Sequence, residues 1–247
     1  MKLIELEKYL NNLMQVEKFN DYGINGIQVE CTGEVKKIVF GVTASLEFLK
    51  KAAAMGVDAV IVHHGLFWGP TPLKGHIYRR LKLLFEHNIG LIAYHLPLDS
   101  HSEFGNSVNL AHRFGGTNIE QFFPYRGGEI GVIAHVDKKV DLFLREYTRD
   151  FAPPLASFLH GNEKMGRTAI ISGGGAGMFP KVLNHKIDTY LTGEFDGPSQ
   201  YIAKEEQVNF IALGHEYSET TGIKSLAAHL SEKFDLDTEV LSFKFRG

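Results

Sequence analysis

A repeated alternation of short apolar runs with helical segments is what most constrains the fold of this chain. Lys37-Ile38-Val39-Phe40-Gly41-Val42, Asp58-Ala59-Val60-Ile61-Val62 and Gly90-Leu91-Ile92-Ala93-Tyr94 are each continuous, apolar and of strand length. Between the first two, Thr43 and Ser45 are good N-cap residues for a helix over Leu46–Met55, which Gly56 ends. Between the second and third, a helix is expected over roughly Ile77–His87, ending near Asn88 and Gly90. This order implies a mostly parallel sheet. Strands that are apolar throughout fit a sheet covered on both faces.

The flanking segments extend the pattern. Residues 1–17 read as an amphipathic helix, and Asp21–Ile27 as a turn-rich stretch around Asn25-Gly26. From about Gln121 the texture changes. Gly131–Val136 reads as a strand, Asp141–Asp150 as a helix that Pro153-Pro154 follows, and Leu155–Leu159 and Arg167–Ile171 as further strands. The strand–helix–strand pattern resumes with Asp188–Thr192, Ser199–Glu206 and Val208–Leu213, and a last helix runs through about Thr221–Phe234. The expected fold class is therefore α/β, a mostly parallel sheet flanked by helices, with a second α/β lobe inserted. Residues 1–121 and 186–247 form the expected main domain and residues 122–185 the lobe.

Composition narrows the function classes. The formal charge is −3 and Lys and Arg form no long run, which argues against a nucleic-acid backbone binder. Cys31 is the single cysteine, so neither an intramolecular disulfide nor a thiolate zinc cluster can form. That fits a reducing, cytoplasmic setting. The opening MKLIELEKYLNNLMQ lacks the uninterrupted apolar stretch of a signal peptide, and no run approaches membrane-spanning length.

The chain has 12 histidines, and their positions carry more than their number. Three expected strands end on them: one runs into His63-His64, one into His95, one through Gly214 into His215. Ligands of open parallel sheets bind beyond the carboxyl ends of the strands. If all three strands share a sheet, these histidines converge on one edge. Asp99 follows His95 by four residues, with Pro97 stiffening the segment, and Glu219 follows His215 by four. Imidazole and carboxylate together suit zinc, iron, manganese, nickel or cobalt. The side chains of adjacent His63 and His64 should diverge, so two ions, each taking one, make the simpler geometry. Asp99 or Glu219 could bridge them. Glu194 ends a strand in Thr192-Gly193-Glu194, and is a candidate general base or a hydrogen-bonding support.

These blocks resemble one family. His63-His64-Gly65 with Phe67-Trp68, His95-Leu96-Pro97-Leu98-Asp99 with Gly105-Asn106, Thr192-Gly193-Glu194, and Gly214-His215 with Glu219 and Gly222 are similar to the signature blocks of the GTP cyclohydrolase I type 2 homologs, also called Nif-three-like proteins. Asp21-Tyr22 and Asn25-Gly26 match too, so the resemblance covers essentially the whole chain. It implies that His63, His64, Asp99, His215 and Glu219 are metal ligands, with His95 beside them as an extra ligand or a support. It also implies a toroidal homohexamer with the metal sites facing an internal cavity.

The function expected is a hydrolase of a small molecule, dependent on two divalent ions per chain. Its most specific form is opening of the GTP imidazole ring, by water attack at C8 and release of formate. A phosphoesterase or amidohydrolase would use the same ligands. A non-catalytic, partner-binding ring protein would close the metal coordination instead of leaving a position for water. Arg79, Arg80 and Lys82 on a helix read as a solvated face rather than phosphate contacts. The Gly173–Gly177 loop reads as a tight turn before it reads as a phosphate cradle. Trp68 beside Phe67 reads as core or subunit contact, with stacking on a base as the alternative.

Overall fold

The computed structural model describes residues 1–243. In chain order the elements begin with α1 (Leu3–Met14), β1 (Gly26–Val29), β2 (Lys37–Thr43), α2 (Leu46–Ala54), β3 (Ala59–His64), α3 (Gly75–Glu86) and β4 (Gly90–Ala93). A one-turn α4 (Leu96–Asp99) and α5 (Asn106–Arg113) lead to β5 (Thr117–Tyr125), β6 (Gly128–Lys139), α6 (Val140–Asp150), β7 (Ala156–Leu159) and β8 (Lys164–Ile171). The chain continues through α7 (Phe179–Val182), β9 (Thr189–Thr192), α8 (Gly197–Glu206), β10 (Asn209–Ala212), α9 (His215–Phe234) and β11 (Asp237–Val240). The fold is mixed α/β, with two sheets flanked by helices. No helix among the described residues is long and apolar enough to cross a membrane.

The first unit comprises Met1–His101, Arg126–Gly128 and Gly222–Ser242. Its sheet has the order β1-β4-β3-β2-β11. β11, β2, β3 and β4 are parallel, and β1 closes the edge antiparallel to β4. Ile38, Val39, Phe40, Val60, Ile61, Val62, Leu91 and Ile92 are all buried, as a sheet covered on both faces requires. Ser45 caps α2 by accepting the Phe48 N–H at 3.1 Å. α1 buries Leu3, Leu6, Leu10 and Met14, a single stripe at helical spacing.

The second unit, chiefly Ser102–Tyr125 and Glu129–Thr221, has a sheet of order β5-β6-β8-β9-β10-β7. β8, β9 and β10 run parallel, β6 is antiparallel to β8, and β7 is antiparallel to β10. Its core gathers Val108, Leu110, Phe114, Val132, Phe143, Ile170, Leu191 and Ile211.

The sheet assignment corrects the sequence reading. The strands expected at 188–192 and 208–213 to resume the first sheet are β9 and β10, and they pair with β8 and β7 in the second. The boundary accordingly falls near residue 102 rather than 122, and residues 186–221 group with the second unit. The physical reason is that a parallel strand–helix–strand unit has the same apolar pattern in whichever sheet it lies. Nothing local specifies the partner strand.

Candidate metal centre

In the first unit, β3 and β4 are parallel with Val62 opposite Ala93. The next residues, His63 near the end of β3 and Tyr94 just after β4, therefore lie at the same edge of the sheet. The fully buried His63 donates its Nδ1–H to the Tyr94 carbonyl at 2.9 Å. That bond fixes the tautomer and leaves Nε2 with its lone pair. Nε2 lies 3.5 Å from Asp99 Oδ2. His64, the next residue, places Nδ1 3.2 Å from Thr43 Oγ on the neighbouring strand. The turn after it is tight: a Cβ on Gly65 would overlap the Gln28 amide, which accepts the Leu66 N–H at 2.7 Å.

His95 joins this group. Its ring centroid is 5.1 Å from that of His63 and 5.7 Å from that of His64. One donor atom from each of the three imidazoles lies within 4.8 Å of the others. Asp21 sets the ring. Its carboxylate accepts His95 Nδ1–H at 2.8 Å, the Leu96 N–H at 2.9 Å and the Asn25 side-chain amide at 2.9 Å. Burial alone would raise the Asp21 pKa, but these bonds and the adjacent His95 hold it well below the usual carboxylate range. Asn25 completes the knot by accepting the His95 backbone N–H at 2.8 Å. The Asp21-Tyr22-Gly23-Ile24-Asn25 stretch, read from sequence as a turn, is thus what orients His95. From His95 the chain enters α4, with Pro97 in its first turn, and Asp99 N–H returns to the His95 carbonyl at 3.1 Å. The four-residue spacing of His95 and Asp99 is one turn of helix.

Trp68 is neither core nor hidden. It is 44% exposed and meets the His95 ring edge-on at 4.9 Å. Tyr22, also exposed, lies under the Arg126 guanidinium at 3.7 Å.

In the second unit, β9 and β10 are parallel with Thr192 opposite Ala212, so Glu194 and His215 leave that sheet on one edge. The edge argument holds, but within each sheet separately. His215 is the first residue of α9, which begins six residues earlier than expected and puts Glu219 one turn along it. His215 Nδ1 bonds Glu194 Oε1 at 2.7 Å, and Nε2 lies 3.2 Å from Glu219 Oε2. Glu219 is buried. Burial opposes protonation of His215, yet the two carboxylates on its two nitrogens outweigh burial and push its pKa up to about 9. Two carboxylates around one imidazole favour positive charge between them, which a divalent ion supplies as well as a proton does.

The glycine-rich loop serves this cluster. Gly173 N–H donates to Ser218 Oγ at 2.9 Å, Ser218 Oγ donates to the His215 carbonyl at 2.8 Å, and Gly193 N–H donates to the Gly173 carbonyl at 2.9 Å. Its first glycine, with φ of +61°, packs so close to Glu219 that a side chain there would overlap the carboxylate. The loop is a scaffold for Glu219 and His215, beside carboxylates that would repel a phosphate.

The donors are nitrogen and carboxylate oxygen, the set that suits zinc, iron, manganese, nickel or cobalt. Similarity to known proteins agrees with these motifs. A family model described as Duf34/NIF3 (NGG1p interacting factor 3) matches residues 1–246. The GTP cyclohydrolase 1 type 2 homolog of Chlamydia pneumoniae is 40% identical over 246 residues, with 96% of each chain covered. The protein of the same name from Escherichia coli K12 is 38% identical over 242 residues, again covering 96% of each. Among solved structures, protein ybgI, described as of unknown function, superposes over the full length of both chains with a TM-score of 0.92 at 34% identity. Reduced HcgD from Methanocaldococcus jannaschii gives 0.84 at 26% identity over 98% of each chain. With the family model matching residues 1–246, this chain belongs to the Duf34/NIF3 family.

Proposed function

We propose that the protein is a cytoplasmic hydrolase of a small molecule, dependent on two divalent ions per chain. The proposed ligands are His63, His64 and Asp99 in the first unit and His215 and Glu219 in the second. The observation that carries this reading is the fixed tautomer of buried His63, whose Nε2 lone pair lies 3.5 Å from a carboxylate oxygen of Asp99. The name borne by the curated relatives favours a specific form of it, opening of the GTP imidazole ring. Divalent ions in these ligands would supply Lewis acidity and lower the pKa of bound water toward about 7.

The chain's own residues hold the imidazoles in place. Tyr94 O orients His63, Asp21 orients His95, and Glu194 orients His215. A carboxylate on the second nitrogen of a ligating histidine raises its basicity and fixes the ring. The 2.7 Å bond to His215 therefore favours Glu194 as a positioning residue over a general base. Metal content and turnover in Glu194→Gln decide between the two. A positioning role predicts metal affinity about 10–100-fold weaker than wild type. Full metal content with turnover lowered about 10²–10⁴-fold would overturn it and make Glu194 the proton acceptor.

The toroidal homohexamer belongs to the same proposal, since closed rings are a common solution for homo-oligomers. Light scattering at micromolar concentration should give a six-chain particle. A monomer there would contradict it.

A further inference from the structure

Within the second unit, a groove of about 670 Å³ runs between β5 and the segment around α7. That volume falls in the range of small-molecule sites, about 300–1,000 Å³. Its apolar walls are Phe122, Phe123, Tyr125 and Met178; Lys181 is its cationic side chain, and His185 also lines it. Phe122 is held firmly: its ring packs over Gly131, where a Cβ would come within 2.7 Å, and His185 meets it edge-on at 5.0 Å. Phe123 has φ of +69°, a left-handed conformation that bulky aromatic residues rarely adopt. Such conformations concentrate at ligand clamps and active sites. The groove also touches Gly174, where a Cβ would lie 3.7 Å from Glu194 Oε2 and 4.0 Å from His215 Cε1. One end of the groove therefore adjoins the Glu194–His215 pair.

We infer that this groove binds a planar heteroaromatic ligand bearing an anionic group, with the ring against Phe122 and Phe123 and the anion toward Lys181. The inference rests on the hydrolase reading, because it makes the groove the place where the substrate's ring is held. Aromatic walls favour a flat π-system, and stacking tolerates any base because every base has a π-face. Glu129, also on the groove, can accept an exocyclic amino N–H but repels an anion, so the charged end belongs at Lys181.

Calorimetric titration of the full-length protein with AMP, GMP, adenosine and ribose 5-phosphate tests the inference. At least one nucleotide should bind about tenfold or more tighter than ribose 5-phosphate. Phe123→Gly should weaken nucleotide and adenosine alike by about tenfold. Glycine accepts the left-handed backbone, so an undiminished thermal midpoint will separate lost binding from lost fold. Lys181→Gln should bring the nucleotide down to the level of adenosine and leave adenosine unchanged. Ribose 5-phosphate binding as tightly as either nucleotide, no nucleotide binding at millimolar concentration, or wild-type affinity in both variants would overturn the groove assignment. Repeating the titrations on the His63→Ala, His64→Ala protein keeps the two proposals apart. Binding in the groove by a protein that holds no metal even as wild type would sink the hydrolase reading alone. Metal-loaded wild type with an empty groove would sink the groove alone.

Discussion

Replacing His63 and His64 together with alanine is expected to abolish metal binding, lowering affinity by more than the roughly 100-fold that loss of an orienting residue alone can cause. Both imidazoles come from the last two residues of β3, so a single strand end supplies them. His63 is the more committed of the two. It is fully buried, and its second nitrogen is already engaged by the Tyr94 carbonyl. Its loss leaves that carbonyl without the donor and opens a cavity, so some stability will go with the metal, on the order of 1–3 kcal/mol. His64→Ala alone separates the effects, because His64 is only half-buried and its removal spares the bond to Tyr94. Elemental analysis after dialysis is the measurement. Wild-type metal content in the double variant would remove His63 and His64 from the ligand set.

The second large effect is structural and falls on Gly193. A Cβ there would come within 2.6 Å of the Gly173 carbonyl oxygen, 2.7 Å of Ser218 Oγ and 2.9 Å of His215 Cα. Two of the three neighbours are backbone, which cannot swing aside. Gly193 N–H also donates to that same Gly173 carbonyl, and the Gly193 carbonyl accepts from Gly214 N–H at 2.9 Å. Any displacement thus breaks the bonds that place Glu194 and His215. Gly193→Val should cost about 3 kcal/mol, the upper end of ordinary overpacking. For a chain of this length that is a fall in thermal midpoint of roughly 6–12 °C. Gly197→Ala is the control, since a Cβ at Gly197 meets nothing within 4 Å. It should change stability by less than about 0.5 kcal/mol. Equal midpoints for the two variants in thermal unfolding would refute the close-packing argument.

Legibility in the sequence followed burial. β2, β3 and β4 were readable because each carries an unbroken run of buried positions, and the histidines at the ends of β3 and β4 were readable because a parallel strand's carboxyl end is where function sits. β1 was not readable. It has four residues, only two of them buried, and Gly26 enters it at φ of +101°, so Asn25-Gly26 carried the signal of a turn. β5 was missed as well. Five of its nine residues are polar or proline, and the kink at Phe123 interrupts any alternation. The α5 helix lies behind Gly105-Asn106, which sequence reading absorbed into a motif rather than a helix start. The pairing of Glu194 with His215 joins two strand ends 21 residues apart. Its candidates were visible, but the distance that favours one role was not, because spacing along the chain says nothing about which nitrogen faces the carboxylate. The same holds for Asp21, whose motif match was visible while its bond to His95 was not.

That bond joins segments that are far apart along the chain. Asp21 and His95 are 74 residues apart, and the His63–Tyr94 contact spans another 31. Contacts of such separation require the intervening loop to close before they contribute anything. A nascent chain that has emerged only as far as β3 carries His63 and His64 side by side, but lacks the Tyr94 carbonyl and the His95 ring that Asp21 orients. The directional arrangement of these imidazoles comes into being only when β4 docks beside β3, so any contribution of the first unit's proposed ligands to choosing a cation would belong to the folded unit and not to the nascent chain.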